Sequence, residues 1–316
     1  MTQISTLILR ATSVAACIAM APVAFAAPTI DANIELDSTY NSGSKLGSAN
    51  TGMDQSGRLE LNISQKAGTD YFVTGRATLL AQKGGTAGTD DLWAQLGSNS
   101  ASIKLGRFEA ADLFPVPQDT VVNHAGNVYY TNLLRGRSEK FHAAGIFTLS
   151  SAVGFELGLI DATDTALGAT GVKGARPVLS YASGPLSVKL GAEIGKYLSG
   201  RNVDGMGATA GYSANGMGFN LNFAQGKQDS ATDNKMTSIG VNALFGPFFA
   251  GFISAKNEQV GGDIQVQTVH ASYNIPIFGV AGASITPAIS HSTAKDSVLG
   301  KSQDVDAFRV RVHYDF

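Results

Sequence analysis

Cysteine is almost missing from this chain: among 316 residues, only Cys17 carries a thiol. It lies in a stretch with the marks of an export signal. Arg10 is the only charge among the first thirty residues, an apolar run extends from Ala11 to Val23, and Ala24-Phe25-Ala26 supplies an A-x-A cleavage site. We expect residues 1–26 to be a signal peptide and residues 27–316 to form one domain beginning at Ala27. A lipoprotein reading centred on Cys17 is weaker, because Arg10 interrupts the apolar region ahead of it and the A-x-A site lies beyond it. Cleavage after Ala26 leaves no thiol, which excludes disulfides, thiolate metal centres and a cysteine nucleophile. Charge is also scarce, at 15% of residues against about 25% in ordinary soluble domains. With the basic residue of the signal removed, acids slightly outnumber bases, so nucleic acid is not an expected partner. Past the signal no apolar run of about 18 residues occurs, which excludes membrane-spanning helices. A hydrophobic content of 44% excludes a disordered chain. Catalytic signatures are lacking too. There is no G-x-S-x-G or H-E-x-x-H, and the five histidines show no ligand spacing, so neither an enzyme nor a metal or cofactor site is expected.

What the sequence does contain is strict alternation. Ile30, Ala32, Ile34 and Leu36 oppose Asp31, Asn33, Glu35 and Asp37. Leu59, Leu61 and Ile63 oppose Arg58, Glu60 and Asn62, and Phe308, Val310, Val312 and Tyr314 oppose Arg309, Arg311 and His313. Period-two segments of this kind recur at sixteen places, which predicts sixteen strands. Short turns such as Ser183-Gly184-Pro185, Ala214-Asn215-Gly216 and Asn274-Ile275-Pro276 alternate with longer polar connections, including 83–90, 199–204 and 258–262. One connection, at about 108–138, is far longer than the rest. Connections that alternate in length suit an antiparallel barrel crossing a membrane, with tight turns on one side and loops on the other. A sixteen-stranded barrel encloses a lumen too wide for side chains to fill, hence an aqueous channel. Its inward face would carry Glu35, Glu60, Lys189, Arg309 and Arg311 as pore wall. Outward tyrosines (Tyr71, Tyr181, Tyr212, Tyr273, Tyr314) would form an interfacial girdle. Periodicity alone does not say which face is inside. The competing class is a secreted all-β binding protein or adhesin, in which charges of both signs would have to be buried and paired at several kcal/mol each.

Three segments carry a family resemblance: Ser56-Gly57-Arg58-Leu59, Leu105-Gly106-Arg107-Phe108-Glu109 ahead of the long connection, and Val312-His313-Tyr314-Asp315-Phe316. In this order, behind a signal peptide, the chain resembles the Gram-negative outer-membrane porins. That resemblance implies an all-β fold, a sixteen-stranded antiparallel transmembrane β-barrel whose long third loop folds inward. It implies a homotrimer surrounded by outer-membrane lipid and lipopolysaccharide, and passive diffusion of small hydrophilic solutes and ions. Small outward residues, Ala208 with Ala210 and Gly251 with Ala255, would suit close packing against a neighbour. The resemblance also implies a constriction in which Glu109, Asp112 and Asp119 on the loop face Arg58, Arg76 and Arg107 on the wall. Phe114, Pro115, Tyr129 and Tyr130 are poorly suited to a solvated loop and fit one packed on a wall. The loop text also looks similar to carbohydrate-selective relatives, and two readings of its aromatics stand side by side: stacking surfaces for sugar rings, or anchors of the loop. Arg107 shares parity with Ile103 and Leu105, and we expect a bulge at Gly106 to turn it inward.

Overall fold

The structure is a computed structural model that describes residues 27–316 except 46–47, 50, 132, 137–140, 162–170, 230–233 and 298. The expected signal peptide lies outside the described residues. Sixteen long strands follow one another: β1 (Thr29–Lys45), β2 (Gly52–Ala67), β3 (Tyr71–Gln82), β4 (Ala87–Ser98), β5 (Ala101–Arg107), β6 (Phe141–Thr148), β7 (Val153–Asp161), β8 (Val172–Ser183), β9 (Leu186–Tyr197), β10 (Asn202–Ala214), β11 (Met217–Gln228), β12 (Asn234–Phe245), β13 (Phe248–Gln259), β14 (Gly262–Tyr273), β15 (Ala283–Asp296) and β16 (Lys301–Asp315). Two-residue pieces at Ser48–Ala49 and Ile275–Pro276 extend the ladders. Every strand pairs antiparallel with the next, and β16 returns to β1 with Ile34 opposite Tyr314 and Glu35 opposite His313. Ala32 and Phe316 exchange both backbone hydrogen bonds at this seam, 2.9 and 2.8 Å. The sheet is therefore a closed barrel, and no helix occurs among the described residues.

The alternation in the sequence becomes two faces of the barrel. Leu59, Ile194, Leu221 and Val241 are exposed on the outer surface, while their neighbours Glu60, Glu193, Asn222 and Asn242 are buried. Closure pairs the backbone groups all round, which is what hydrocarbon demands of a sheet. The girdle tyrosines are all exposed and all sit at the end of the barrel that carries Phe316.

Several sequence expectations need correction. The connection expected at 258–262 is only Val260-Gly261, and 199–204 shrinks to 198–201. The strands outrun the apolar band, and their outward residues there are polar, such as Lys256, Glu258 and Asp263. Polarity there marks the end of an ordered ladder and not a loop. The tight turn expected at 274–276 is a longer excursion over 274–282, whose Phe278 is 94% exposed. Gly251 and Ala255 share the inward parity of buried Phe249 and Ile253, with Gly251 beneath His270, so they do not line the outer surface. No register slip occurs at Gly106. It pairs with Trp93, and Arg107 with the outward Leu92, the positive φ of Gly106 (123°) being absorbed without an extra residue. The slip falls instead between Ala77 and Leu79, where Thr78 faces both Asp90 and Asp91. That bulge leaves two consecutive carboxylates buried beside one another at the polar face.

Candidate functional site

The connection between β5 and β6 is bonded to the polar face of the barrel along most of its described length. The Ala111 N–H donates to Glu156 (2.9 Å), and the amides of Asn222 and Asn242 both donate to the Pro115 carbonyl (3.0 and 2.9 Å). Gln118 donates to Ser272 (3.1 Å), the Asn123 N–H to Ser290 (3.3 Å), the Ala125 N–H to Ser292 (3.0 Å) and the Tyr129 N–H to Ser238 (3.0 Å). His124 Nδ1 lies 2.7 Å from Thr268 Oγ1, and its Nε2 meets the Tyr130 hydroxyl. Short hydroxyl and amide side chains at inward positions thus satisfy backbone groups that the loop would otherwise bury unpaired.

Glycine shapes the same surface. Gly174 pairs with Gly195, Gly191 with Gly207, and Gly205 with Gly226 across neighbouring strands. Loop side chains occupy the space a methyl group would fill: Leu134 at the first pair, Leu113 with Thr131 at the second, and Tyr129 at the third. Phe114 lies over Gly240 in the same manner. Beneath the loop, Glu193 is fully buried. It accepts from the Tyr129 hydroxyl (2.8 Å), the Leu134 N–H (3.2 Å) and Arg176 Nε (3.2 Å), while Arg176 Nη2 donates to the Thr131 carbonyl (3.3 Å). Burial, with the Glu193 carboxylate second, pushes the Tyr129 phenol above its ordinary range, so it stays a donor at alkaline pH.

Three groups of charges follow. On the wall, Arg58 and Arg76 pair with Glu60 (2.6 and 3.0 Å) and reach Asp91 (3.9 and 3.7 Å). Next to them across β1 and β16, Arg311 holds Asp37 (2.7 Å), Glu35 (3.1 Å) and Asp119 of the loop (2.8 Å), and Arg309 reaches Asp37 at 3.6 Å. On the loop, Arg135 pairs with Glu109 (3.2 Å) and Asp112 (3.5 Å). Lys189 donates to the Asp112 carbonyl, at 3.4 Å. Of the three loop acids, Asp119 meets a wall arginine, and that arginine is Arg311, not Arg58, Arg76 or Arg107. Glu109 and Asp112 are answered from within their own loop by Arg135, a residue sequence reasoning missed. Arg107 has no ion pair among the described residues and does not join Arg58 and Arg76. A cavity of about 360 Å³ lies between loop and wall, lined among others by Asp112, Phe114, Asp119, Arg135, Arg309 and Arg311.

The family described as Gram-negative porin matches residues 11–316. The chain belongs to that family. This porin is accordingly an outer-membrane channel protein of the Gram-negative type, and the secreted alternative is not favoured. No curated protein matches it significantly. Among solved structures it is similar to the loop L8 deletion mutant of OmpT, an outer membrane protein of Vibrio cholerae, at a TM-score of 0.71 and 11% identity over 92% of this chain and 100% of that one. It is also similar to the anion-selective porin from Comamonas acidovorans (TM-score 0.64, 16% identity, 91% of this chain and 99% of that one). A third is Salmonella typhi OmpF in complex with daunomycin (TM-score 0.63, 12% identity, 92% and 97%). At these identities the likeness concerns the fold. Within this porin, Asp91→Asn should remove one of the two acids that Arg58 and Arg76 share, Glu60 remaining. The reversal potential in a salt gradient is expected to move toward anions, and an unmoved potential would remove this cluster from the permeation path.

Proposed function

We propose that this porin passes small hydrophilic solutes and ions passively through an eyelet between the loop at about 108–138, folded into the lumen, and the charged wall of β16 and β1–β4. The observation that carries this reading is the contact of Asp119 with Arg311. It ties a loop that leaves the sheet at β5 to the strand that closes the barrel at the seam. Arg58, Arg76, Glu109, Asp112, Phe114 and Asp119 belong to that eyelet or its supports, Glu35, Glu60, Arg309 and Arg311 to the wall beside it, and Lys189 to the wall under Asp112. Charges of both signs across a narrow aqueous gap favour solutes that keep polar groups and disfavour apolar ones. Sugar preference finds no support in the aromatics. Phe108, Phe114 and Tyr129 are buried against the wall, which favours anchoring over stacking on a sugar ring.

We further propose cleavage of residues 1–26 on export and assembly as a homotrimer in contact with outer-membrane lipid and lipopolysaccharide. The trimer draws on the in-vitro folded OmpT of Vibrio cholerae, whose structure is described as a trimer form. Purified protein added to a planar bilayer should give stepwise, ohmic KCl currents; insertion without conductance would refute the channel. Neutralising Glu109 and Asp112 together (E109Q/D112N) leaves Arg135 without its acids, so cation preference should fall. An unchanged reversal potential in a KCl gradient would place both acids off the ion path.

A further inference from the structure

We propose that Gln118, an uncharged residue, is the positioning residue for the charge that Asp119 presents to the channel. This deepens the channel reading above and rests on it. The loop is fixed on either side of its tip, at the Pro115 carbonyl by Asn222 and Asn242 and at the Asn123 N–H by Ser290. Between those points, among the described residues, two neighbouring side chains bond the tip to the wall. The Gln118 amide donates to the Pro247 carbonyl (3.0 Å) and to Ser272 Oγ (3.1 Å), and Asp119 accepts from Arg311 (2.8 Å). Pro247 belongs to the two-residue turn between β12 and β13, and its carbonyl also accepts from the Asn274 N–H (2.9 Å). Gln118 therefore ties the tip to the end of the barrel that carries Phe316.

Asp119 needs this support because Arg311 is a crowded partner. Asp37, Glu35 and Asp119 all converge on it, and Glu35 and Asp119 share its Nη1 at 3.1 and 2.8 Å. Carboxylates gathered so closely repel one another, which weakens the hold on the one that arrives from a loop. The Gln118 backbone is left-handed, with φ of 61°, a conformation that a residue other than glycine keeps only where its surroundings hold it. Space lies open on both sides of the tip. Gln118 and Asp119 are the residues shared by the cavity of about 360 Å³ toward Arg309 and Arg135 and a second of about 530 Å³ toward Leu244, Pro247 and Asn274. With the Gln118 amide gone, the backbone relaxes and the Asp119 carboxylate has open water to move into.

The test is the reversal potential of the full chain in a planar bilayer under a KCl gradient. Two neutral hydrogen bonds together favour the held conformation by about 30-fold, so their loss should free Asp119 in a large share of channels. A carboxylate released into the lumen attracts cations. Gln118→Ala, which removes no charge, should therefore raise the potassium-to-chloride permeability ratio, by a factor comparable to the fall that Asp119→Asn causes. In an Asp119→Asn background Gln118→Ala should leave the ratio unmoved, since no carboxylate remains to be released. Ser272→Ala removes one of the two acceptors from outside the loop and should give a smaller rise; it decides the matter if Gln118→Ala fails to insert. A ratio that stays or falls in these variants, or that moves equally in both backgrounds, would overturn the proposal while leaving the channel intact. An unmoved ratio in Asp119→Asn would take Asp119 off the ion path and the eyelet reading with it, and absence of KCl conductance would sink the channel itself.

Discussion

Replacing Glu193 with alanine is expected to release the second half of the loop and turn a quiet channel into a noisy one of higher conductance. The carboxylate gathers Tyr129, Leu134 and Arg176 at one fully buried point. Removing one partner of a buried ion pair leaves the other charge unanswered, at a cost of about 3–5 kcal/mol. The barrel has sixteen strands of ladder to hold it, so the loop should give way first. Thermal unfolding and single-channel recordings would separate the two effects. The double substitution Arg176→Met with Glu193→Leu should recover much of the lost stability, because an apolar pair can replace a buried ionic one. It should not recover the quiet current, since no acceptor for Tyr129 returns. Equal noise in the natural chain and in Glu193→Ala would show that the loop is held elsewhere.

Gly226→Ala is the second large effect. The added methyl would overlap the ring of Tyr129, which sits between Gly205 and Gly226, and overpacking of this kind costs about 1–3 kcal/mol. In a Tyr129→Ala background the methyl meets no ring, and its cost should vanish. The difference between the backgrounds is a coupling energy read from thermal unfolding. A methyl that costs the same in both would mean that Gly226 is needed for its backbone and not as a socket.

The barrel was legible because lipid outside and water inside impose a two-residue period on every crossing strand. All sixteen strands could be placed that way, from the Ile30–Leu36 face to the Phe308–Tyr314 face. Strand ends were less legible. Past the apolar band, Lys256 and Glu258 still point outward from an ordered ladder, but a one-dimensional reading takes them for a loop. The slip at Asp90-Asp91 was invisible because register is a property of two strands, and Gly106 drew attention as the residue type bulges favour. Of the proposed eyelet, the acids Glu109, Asp112 and Asp119 were legible by type and position. Their partners were not, because the folding of one loop decides whether Asp112 meets a wall arginine or Arg135. The paired glycines did carry a signal, one that appears only once Gly205 is known to lie opposite Gly226.

The seam between β1 and β16 bears on how this molecule comes to be made. Asp37 meets Arg311, and Ile34 meets Tyr314, across nearly the whole sequence. A ladder of such remote partners forms slowly, since the chain must bring distant segments together before any contact rewards it. Until β16 has emerged from the ribosome and been delivered, β1 presents an open edge able to pair with a stranger. The topology therefore favours a route in which β1 and β16 meet before that edge finds another strand.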